Sequence, residues 1–396
     1  MLTIRGHLKT HVVWYTLFFV YTAIAFFNLY KGSVQSPDTA THIKWAKILI
    51  GHEFNFLAFY SDVSFPVPPF FYTIPITALA ILISTFDEHW VIAFQSLNLV
   101  ALFFILFLFV KIILHLNVRQ WLASLSLLVF FISVDYLLWP RYILTDTLFS
   151  ATVMFAIYTV IVGTNNRLGY YVLIVCSSFL LLFSRPASPI FIAVFLFFGF
   201  LIDLSQRLLI KKTLFFRLGI LTFFASTLYS VVLTAYASGA FESSVLEFWQ
   251  YYNEKGIVIW DRPETNIVYE ATYLGIAKLH LLRMVGFFNP FSINFSLLHN
   301  VLNGLHLLGC YVVIFALFHY SFTDFEKNNN RAKAIALLST LIIFVAITTS
   351  FFVVDYDWRY RYPIIAPLIM LATLICDNFL NLREPKISHG IGGKVE

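Results

Sequence analysis

The sequence predicts an all-α fold, a polytopic bundle of about 10–12 transmembrane helices with amphipathic helices in the first extracytoplasmic loop. Of its 396 residues, 60% are hydrophobic and only 12% are charged, and the mean hydropathy is +0.81. A soluble domain of this length does not need so much apolar surface. Because the apolar segments recur from end to end, residues 1–396 are predicted to form a single integral membrane domain.

The individual helices follow from long apolar runs without charge, since a membrane helix needs about 20 residues. Two segments are ambiguous, because residues 66–86 contain several prolines and residues 283–298 are interrupted by glycine, asparagine and proline. The remaining runs are predicted as helices near 12–30, 91–114, 120–138, 142–162, 169–184, 188–203, 214–237, 301–320, 332–354 and 363–380.

Basic residues predict the orientation of these helices. The segments 207–212 and 327–333 are rich in lysine and arginine and are therefore expected on the cytoplasmic side. This places the loops 31–70 and 238–283 on the opposite side. Lys111 and Arg119 are also expected on the cytoplasmic side. Two complete spans between the first loop and Lys111 would put that lysine outside. Residues 66–86 are therefore predicted to be re-entrant or interfacial instead of forming a complete span.

The first loop contains a polar segment that requires an explanation in so apolar a chain. Asp38 follows Pro37, which favours the first turn of a helix, where the dipole stabilises a carboxylate. His42 lies one turn later on the same face, and Ile43, Ala46, Lys47 and Ile50 would form a face along the membrane surface. Asp38 is either a general base open to a substrate hydroxyl or an ordinary residue of a helix N-terminus.

Arginines form the second group of candidate residues, because guanidinium groups match the geometry of phosphate. The alternative is local pairing, of Arg141 with Asp146 and of Arg359 with an aspartate at 355 or 357. Arg185 is the most informative of them, since it interrupts a long apolar stretch. The arginines at predicted outer ends of helices are Arg141, Arg185, Arg359 and Arg361.

The second loop interleaves aromatic rings with carboxylates. Trp249 and Trp260 would stack on a sugar, or they would belong to an interfacial aromatic belt. The cysteines Cys176, Cys310 and Cys376 lie in apolar stretches, which favours core packing over a disulfide or metal framework. No motif typical of a metal site occurs in the sequence.

Taken in order, these motifs resemble the GT-C superfamily of integral membrane glycosyltransferases. The most similar branch is glycosyltransferase family 39, which includes protein O-mannosyltransferases and aminoarabinose transferases of lipid A. The chain departs from the family pattern at Thr39, where a second acidic residue is often found, and it shows no large soluble C-terminal domain. The segments that carry the resemblance are 37–51, 68–72, 141–146, 184–186 and 359–363.

The resemblance implies a hexosyl- or pentosyltransferase that moves a sugar from a polyprenyl-phosphate donor to a glycan, lipid or protein acceptor. In this scheme Asp38 deprotonates the acceptor hydroxyl and the anomeric carbon is inverted. Arg141, Arg185, Arg359 and Arg361 would neutralise the departing phosphate. The residues expected to position substrates are His42, Asp146, Trp249, Trp260 and Tyr362.

The implied partners are membrane lipid and the two substrates, with no nucleic acid and no cofactor, although a divalent metal is left open. The implied location is the bacterial inner membrane, with the active site facing the extracytoplasmic side. Two alternatives stay open at this point. A lipid-linked sugar flippase or small-solute transporter would also use arginines in a cavity, and an O-antigen polymerase or ligase would share the lipid-phosphate chemistry.

Overall fold

The fold is described by a computed structural model that covers residues 2–63, 69–163, 166–201, 273–292, 295–317, 329–351 and 358–383. Within these ranges the secondary structure is helical, apart from an isolated bridge between Val34 and Tyr142. The all-α class is therefore confirmed. The predicted helix 214–237 and the second loop, with Trp249 and Trp260, lie outside the described residues.

Most predicted apolar runs are helical in the described ranges, but the first helix begins at Leu2 instead of near residue 12. The ambiguous segment 283–298 contains the end of one helix, Tyr273–Phe288, and the start of the next, Leu297–Asn303. The helices of the described ranges are α1 (Leu2–Lys31), α2 (Pro37–Gly51), α3 (Phe56–Asp62), α4 (Thr73–Phe86), α5 (Trp90–His115), α6 (Gln120–Ile132), α7 (Val134–Leu138), α8 (Asp146–Ile161), α9 (Arg167–Leu182), α10 (Ser188–Leu196), α11 (Tyr273–Phe288), α12 (Leu297–Asn303), α13 (Gly309–Leu317), α14 (Asn329–Phe351) and α15 (Tyr362–Arg383). A π-helical turn, Gly304–Leu308, joins α12 to α13.

Several helices are long and apolar enough to cross a membrane. Among the described residues there are five such stretches, or six if α6 and α7, which meet at a 62° bend, form one broken span. The larger number of predicted crossings stays a prediction. The five stretches are His11–Lys31, Phe70–His115, Leu297–Leu317, Asn330–Ser350 and Arg359–Leu382.

The centre of the bundle is built around α15, which packs against α14, α13, α8 and α6. Its Ile365, Ala366 and Met370 are completely buried. Large apolar side chains also point outward from the bundle, for example Phe26 at 71% and Phe315 at 81% exposure. An apolar exterior of this kind is unfavourable in water and favourable against lipid tails.

The described part of the proline-containing segment 66–86 is helical, with a 3₁₀ turn over Pro69–Tyr72 followed by α4. The helix α4 has 14 residues and is thus about 21 Å long, shorter than the roughly 30 Å of a bilayer core. A turn at Asp87, which has a φ of +44°, separates it from α5. The re-entrant or interfacial placement stays a prediction, and Pro66 and Pro68 lie outside the described residues.

The predicted amphipathic helix of the first loop is present as α2, but a different face is packed. His42, Trp45, Ala46 and Leu49 are buried, and together with Ile76 of α4 the last three residues form a second apolar core. Lys47 is exposed, and of the predicted surface face only Ala46 is buried. The sequence pattern was ambiguous because apolar residues occupy both sides of this helix.

At the other end of α15 an ion-pair cluster holds three parts of the chain together. Arg331 of α14 lies 2.8 Å from the carboxylate of Asp377, which is completely buried. Arg331 also donates to the carbonyl oxygens of Leu116 and Asn117, at 2.7 and 2.6 Å, and the backbone N–H of Arg119 donates to Asp377 at 3.2 Å. About 24 Å of helix separates Asp377 from the turn before α15. Arg119 and Arg331, which contact Asp377, therefore lie at the end of the bundle opposite to that turn.

Candidate functional site

The site is organised by the N-terminus of α2. Pro37 begins the helix, and the N–H of Ser36 donates to the Thr39 hydroxyl at 2.9 Å. The same hydroxyl donates to the carbonyl oxygen of Ile143 at 3.0 Å. Thr39 therefore anchors α2 to the segment before α8. Asp38 is held in the first turn, where the helix dipole favours its charged form.

The carboxylate of Asp38 forms an ion pair with Arg359, although the two residues are 321 positions apart. Arg359 lies in the short 3₁₀ turn Trp358–Arg361 that precedes α15. Its side chain is 14% exposed, whereas that of Asp38 is 46% exposed. A molecule approaching this end of the bundle would meet the carboxylate first.

A second ion pair lies beside the first and is more deeply buried. Arg185, in the break between α9 and α10, donates to the carboxylate of Asp146 at the start of α8. The exposed fractions of the two side chains are 10% and 2%. The alternative that Asp146 pairs locally with Arg141 is thus wrong, because its partner comes from another helix.

Aromatic rings connect the two ion pairs. The ring centre of Tyr360 is 5.6 Å from the guanidinium carbon of Arg359 and 5.8 Å from that of Arg185, a cation–π arrangement. Tyr72 and His42 complete the group, with ring centres 5.7 Å apart, and both interact electrostatically with the two ion pairs. We call this group the Asp38 cluster, formed by Asp38, His42, Tyr72, Asp146, Arg185, Arg359 and Tyr360.

The surroundings determine the charges of the two titratable groups on α2. Partial burial alone would raise the pKa of Asp38, but Arg359, through charge and hydrogen bonding, together with His42 and Arg185 holds that pKa below its ordinary value. Burial lowers the pKa of His42 to about 4, against the opposing effect of Asp38 and Asp146. At neutral pH Asp38 is therefore a carboxylate and His42 an uncharged imidazole.

The His42 environment predicts a loss of stability in acid. A histidine with a pKa of 6.5 when unfolded and about 4 when folded takes up its proton more readily unfolded, so stability is complete above pH 6.5 and falls as the pH drops towards 4. The full difference corresponds to about 3 kcal/mol. We expect the melting temperature of His42→Gln to depend less on pH than that of the wild type between pH 6.5 and 4.5. Equal slopes in the two proteins would contradict this expectation.

A small apolar pocket opens beside the cluster. Arg185 and Tyr360 form its polar side, and most of its other lining residues are apolar. A charged group next to an apolar surface suits an amphiphilic ligand with an anionic head. The remaining lining residues are Phe149, Ala187, Ile190, Phe191, Val345, Thr349 and Pro363.

Two of the four predicted phosphate-binding arginines lie elsewhere. Arg141 donates to the carbonyl oxygens of Gly32 and Lys31, at 2.8 and 3.0 Å, and so fixes the end of α1. Arg361 is buried, donates to the carbonyl oxygen of Asn289 at 2.9 Å and lies 3.9 Å from Asp135. The expected convergence of all four guanidinium groups is therefore wrong, since these two stabilise other segments.

The other predicted positioning residues divide similarly. His42 and Asp146 belong to the Asp38 cluster, whereas Tyr362 is buried at its edge, with its ring 5.0 Å from that of Tyr136. Tyr72 and Tyr360 are members of the cluster that the sequence did not single out. Both stand in motifs considered for other reasons. The neighbouring arginines were an available signal for Tyr360, whereas the sequence around Tyr72 offered none.

No protein-family model matches the chain, and no curated protein or solved structure is significantly similar to it. The resemblance to the GT-C superfamily stays a prediction from ordered motifs. Within the described ranges no three histidine, cysteine or acidic side chains form a group that could hold a metal ion.

Proposed function

We propose that this protein is a membrane glycosyltransferase that moves a hexosyl or pentosyl group from a polyprenyl-phosphate donor to a hydroxyl of a glycan, lipid or protein acceptor. The reaction takes place at the extracytoplasmic face of a membrane, with the bacterial inner membrane as the expected location. The observation that supports this proposal most strongly is the position of Asp38, a partly exposed carboxylate beside two guanidinium groups from distant segments of the chain.

The negatively and the positively charged side chains have different roles in this reaction. Asp38 takes the proton of the acceptor hydroxyl, and that oxygen forms a bond to the anomeric carbon with inversion. The bond between the anomeric carbon and the donor oxygen breaks, and its electron pair leaves with the lipid phosphate. Arg359 and Arg185 stabilise the negative charge that grows on this phosphate in the transition state.

The ion pairs of the ligand-free protein are compatible with this reaction. Arg359 is paired with Asp38, and Arg185 is paired with Asp146, so neither guanidinium lies unneutralised inside the bundle. A donor phosphate competes with Asp38 for Arg359, since guanidinium binds both oxyanions through the same donors. As Arg359 turns towards the phosphate, Asp38 loses a stabilising partner and becomes a stronger base.

The apolar pocket supports a lipid-linked donor over a soluble nucleotide sugar. Its phenyl and aliphatic side chains begin next to Arg185 and Tyr360, so a phosphate held by Arg185 would place an attached hydrocarbon chain against them. The pocket is small, so it contacts only the first carbons of that chain, and each methylene group buried there contributes about 0.8 kcal/mol. A nucleotide would bring a base and ribose to surfaces that offer few hydrogen bonds.

The direct experiment is to incubate the purified protein, in lipid nanodiscs, with radiolabelled polyprenyl-phosphate hexoses and pentoses and a hydroxylated lipid acceptor. Glycosyl transfer predicts release of free polyprenyl phosphate and a labelled acceptor of inverted configuration. A flippase or transporter predicts movement of the label across a sealed bilayer with the donor intact. Movement without cleavage of the donor would overturn the proposal.

Substitution of Arg359 provides a test within this assay. We expect Arg359→Gln to lower kcat by about 10²–10³-fold, because one donor to the developing charge is removed. Arg141→Gln is the matched control, since that arginine binds backbone carbonyl oxygens instead of the cluster; its kcat should stay within about twofold of the wild type. Equal losses in the two variants would indicate a general structural effect and contradict the assigned role.

A further inference from the structure

A second group of polar side chains includes Arg361, which lies in the same 3₁₀ turn as Arg359. His299, Asn303 and His306 follow one another along α12 and the π-helical turn, at spacings that place them on one face. Asp135 of α7 and Arg361 approach this face. We call these five residues the polar seam.

Electrostatic contacts place the members of the seam together. His299 interacts with both Asp135 and Arg361, and His306 interacts with Arg361. The guanidinium of Arg361 lies 3.9 Å from the Asp135 carboxylate, whose other oxygen accepts from the indole N–H of Trp139 at 3.1 Å. Three separate parts of the chain therefore contribute to one polar region inside an apolar bundle.

Two of these side chains are buried without hydrogen-bond partners. Asn303 and His306 are each 1% exposed. Among the described residues, the amide nitrogen and oxygen of Asn303 and both ring nitrogens of His306 form no hydrogen bond, and neither does one carboxylate oxygen of Asp135. Leaving such groups unsatisfied costs about 1–3 kcal/mol each, so native proteins normally supply a partner. A polar residue inside a membrane helix is by default a candidate functional residue.

The unsatisfied atoms define the chemistry of the missing partner. The amide and imidazole groups offer both donors and acceptors, whereas an anion would use only donors. The formal charges of Asp135 and Arg361 cancel, so the seam does not select a charged ligand. The indole of Trp139 and the stacked pair of His299 and Phe295, with ring centres 3.8 Å apart, add aromatic faces. Sugar rings match this combination of hydroxyl groups and apolar C–H faces.

We propose that the polar seam is a binding site for a neutral sugar ring, separate from the Asp38 cluster. His299, which is half-buried, is the most exposed of the three residues on the helix face, and Asn303 and His306 lie about 6 and 10 Å farther along the helix. Tyr362, which interacts with both Asp135 and Asp146, lies between the seam and the cluster. The inference rests on the proposed function only for the sugar's role as a donor or acceptor group, not for its binding.

The test uses the full-length protein in nanodiscs prepared without glycoside detergents, with saturation-transfer NMR of methyl hexopyranosides. We expect the wild type to bind these probes and Asn303→Leu to raise the apparent Kd at least about tenfold. Because the Asn303 amide has no partner within the described chain, the melting temperature of this variant should not fall. His306→Leu and Asn303→Ala provide the same test if the leucine at 303 is too large.

Leu305→Ala is the matched control, since Leu305 lies in the same π-helical turn but points outward with 61% exposure. Absence of binding by the wild type, or equal affinity in Asn303→Leu, would overturn the inference and assign the seam to water. If the wild type binds methyl phosphate in preference to the hexosides, and Asn303→Leu abolishes that binding, the assignment of a neutral ligand is wrong. Asp38→Asn should still bind the hexosides, so a failure of the proposed transfer reaction is distinguishable from a failure of this site.

Discussion

Asp38→Asn is expected to lower glycosyl transfer by about 10²–10⁴-fold, the usual contribution of a general base. Asparagine has nearly the same shape and can still contact Arg359, but its amide cannot take the acceptor's proton. Membrane insertion and the melting temperature should change little, since the Asp38 side chain is 46% exposed. The measurement is the rate of polyprenyl phosphate release at saturating donor and acceptor.

A suitable control exists in the same loop. Asp62, at the end of α3, is 55% exposed and pairs with His52 at 2.6 Å, outside the Asp38 cluster. Asp62→Asn should retain nearly full activity. Retention of wild-type activity by Asp38→Asn would eliminate Asp38 as the base.

The pH profile of the wild type gives an independent check on Asp38. Burial opposes ionisation, but Arg359, His42 and Arg185 hold the pKa of Asp38 below its ordinary value in the ligand-free protein. The carboxylate is therefore charged throughout the neutral range. We expect kcat/KM to show no loss from Asp38 protonation across the neutral range, and a loss only in acid below the ordinary pKa of an aspartate.

Asp377→Ala is expected to cause the largest loss of stability, about 3–5 kcal/mol, because it leaves Arg331 charged and without its carboxylate in the interior. Arg331 is held by Asp377 at 2.8 Å and by the carbonyl oxygens of residues 116 and 117. The loss should appear as a lower melting temperature in nanodiscs. Hydrogen exchange should accelerate at residues 115–120, where Asp377 accepts the Arg119 N–H.

A double substitution separates the charge effect from the packing effect. Arg331→Met combined with Asp377→Leu removes both charges and keeps similar volumes, so it should recover most of the stability that Asp377→Ala loses. Asp87→Asn, at an exposed turn with positive φ that asparagine tolerates, is the control and should be nearly neutral. A double variant as unstable as the single one would show that the ion pair itself is required.

Much of the local structure could be predicted from the sequence. The helix beginning at Pro37 and the break at Arg185 were both expected, because proline and the isolated charge act on their own segment. The buried face of α2 was not predicted. Apolar side chains occupy more than one side of that helix, so the choice of face depends on where α4 and α5 lie.

The partner of Asp146 was the main error. A local pair with Arg141 was considered for Asp146, which instead pairs with Arg185. Arg359 pairs with Asp38, and the local partners considered for it, at 355 and 357, lie outside the described residues. In an apolar bundle a charge is stabilised only by a partner at the same depth, and that partner can come from any helix. Sequence distance therefore carries little information about the pairs.

The sequence by itself determined the helical class, the apolar exterior and the residue types available for chemistry, because hydropathy and helix-starting residues act over a few turns. Only the tertiary structure decided that Arg185 and Arg359 join Asp38 while Arg141 and Arg361 bind elsewhere, and that Asn303 and His306 share a buried seam. Those arrangements depend on how helices cross and on their rotation about their own axes. Both are set by packing across the whole bundle, which no local sequence pattern specifies.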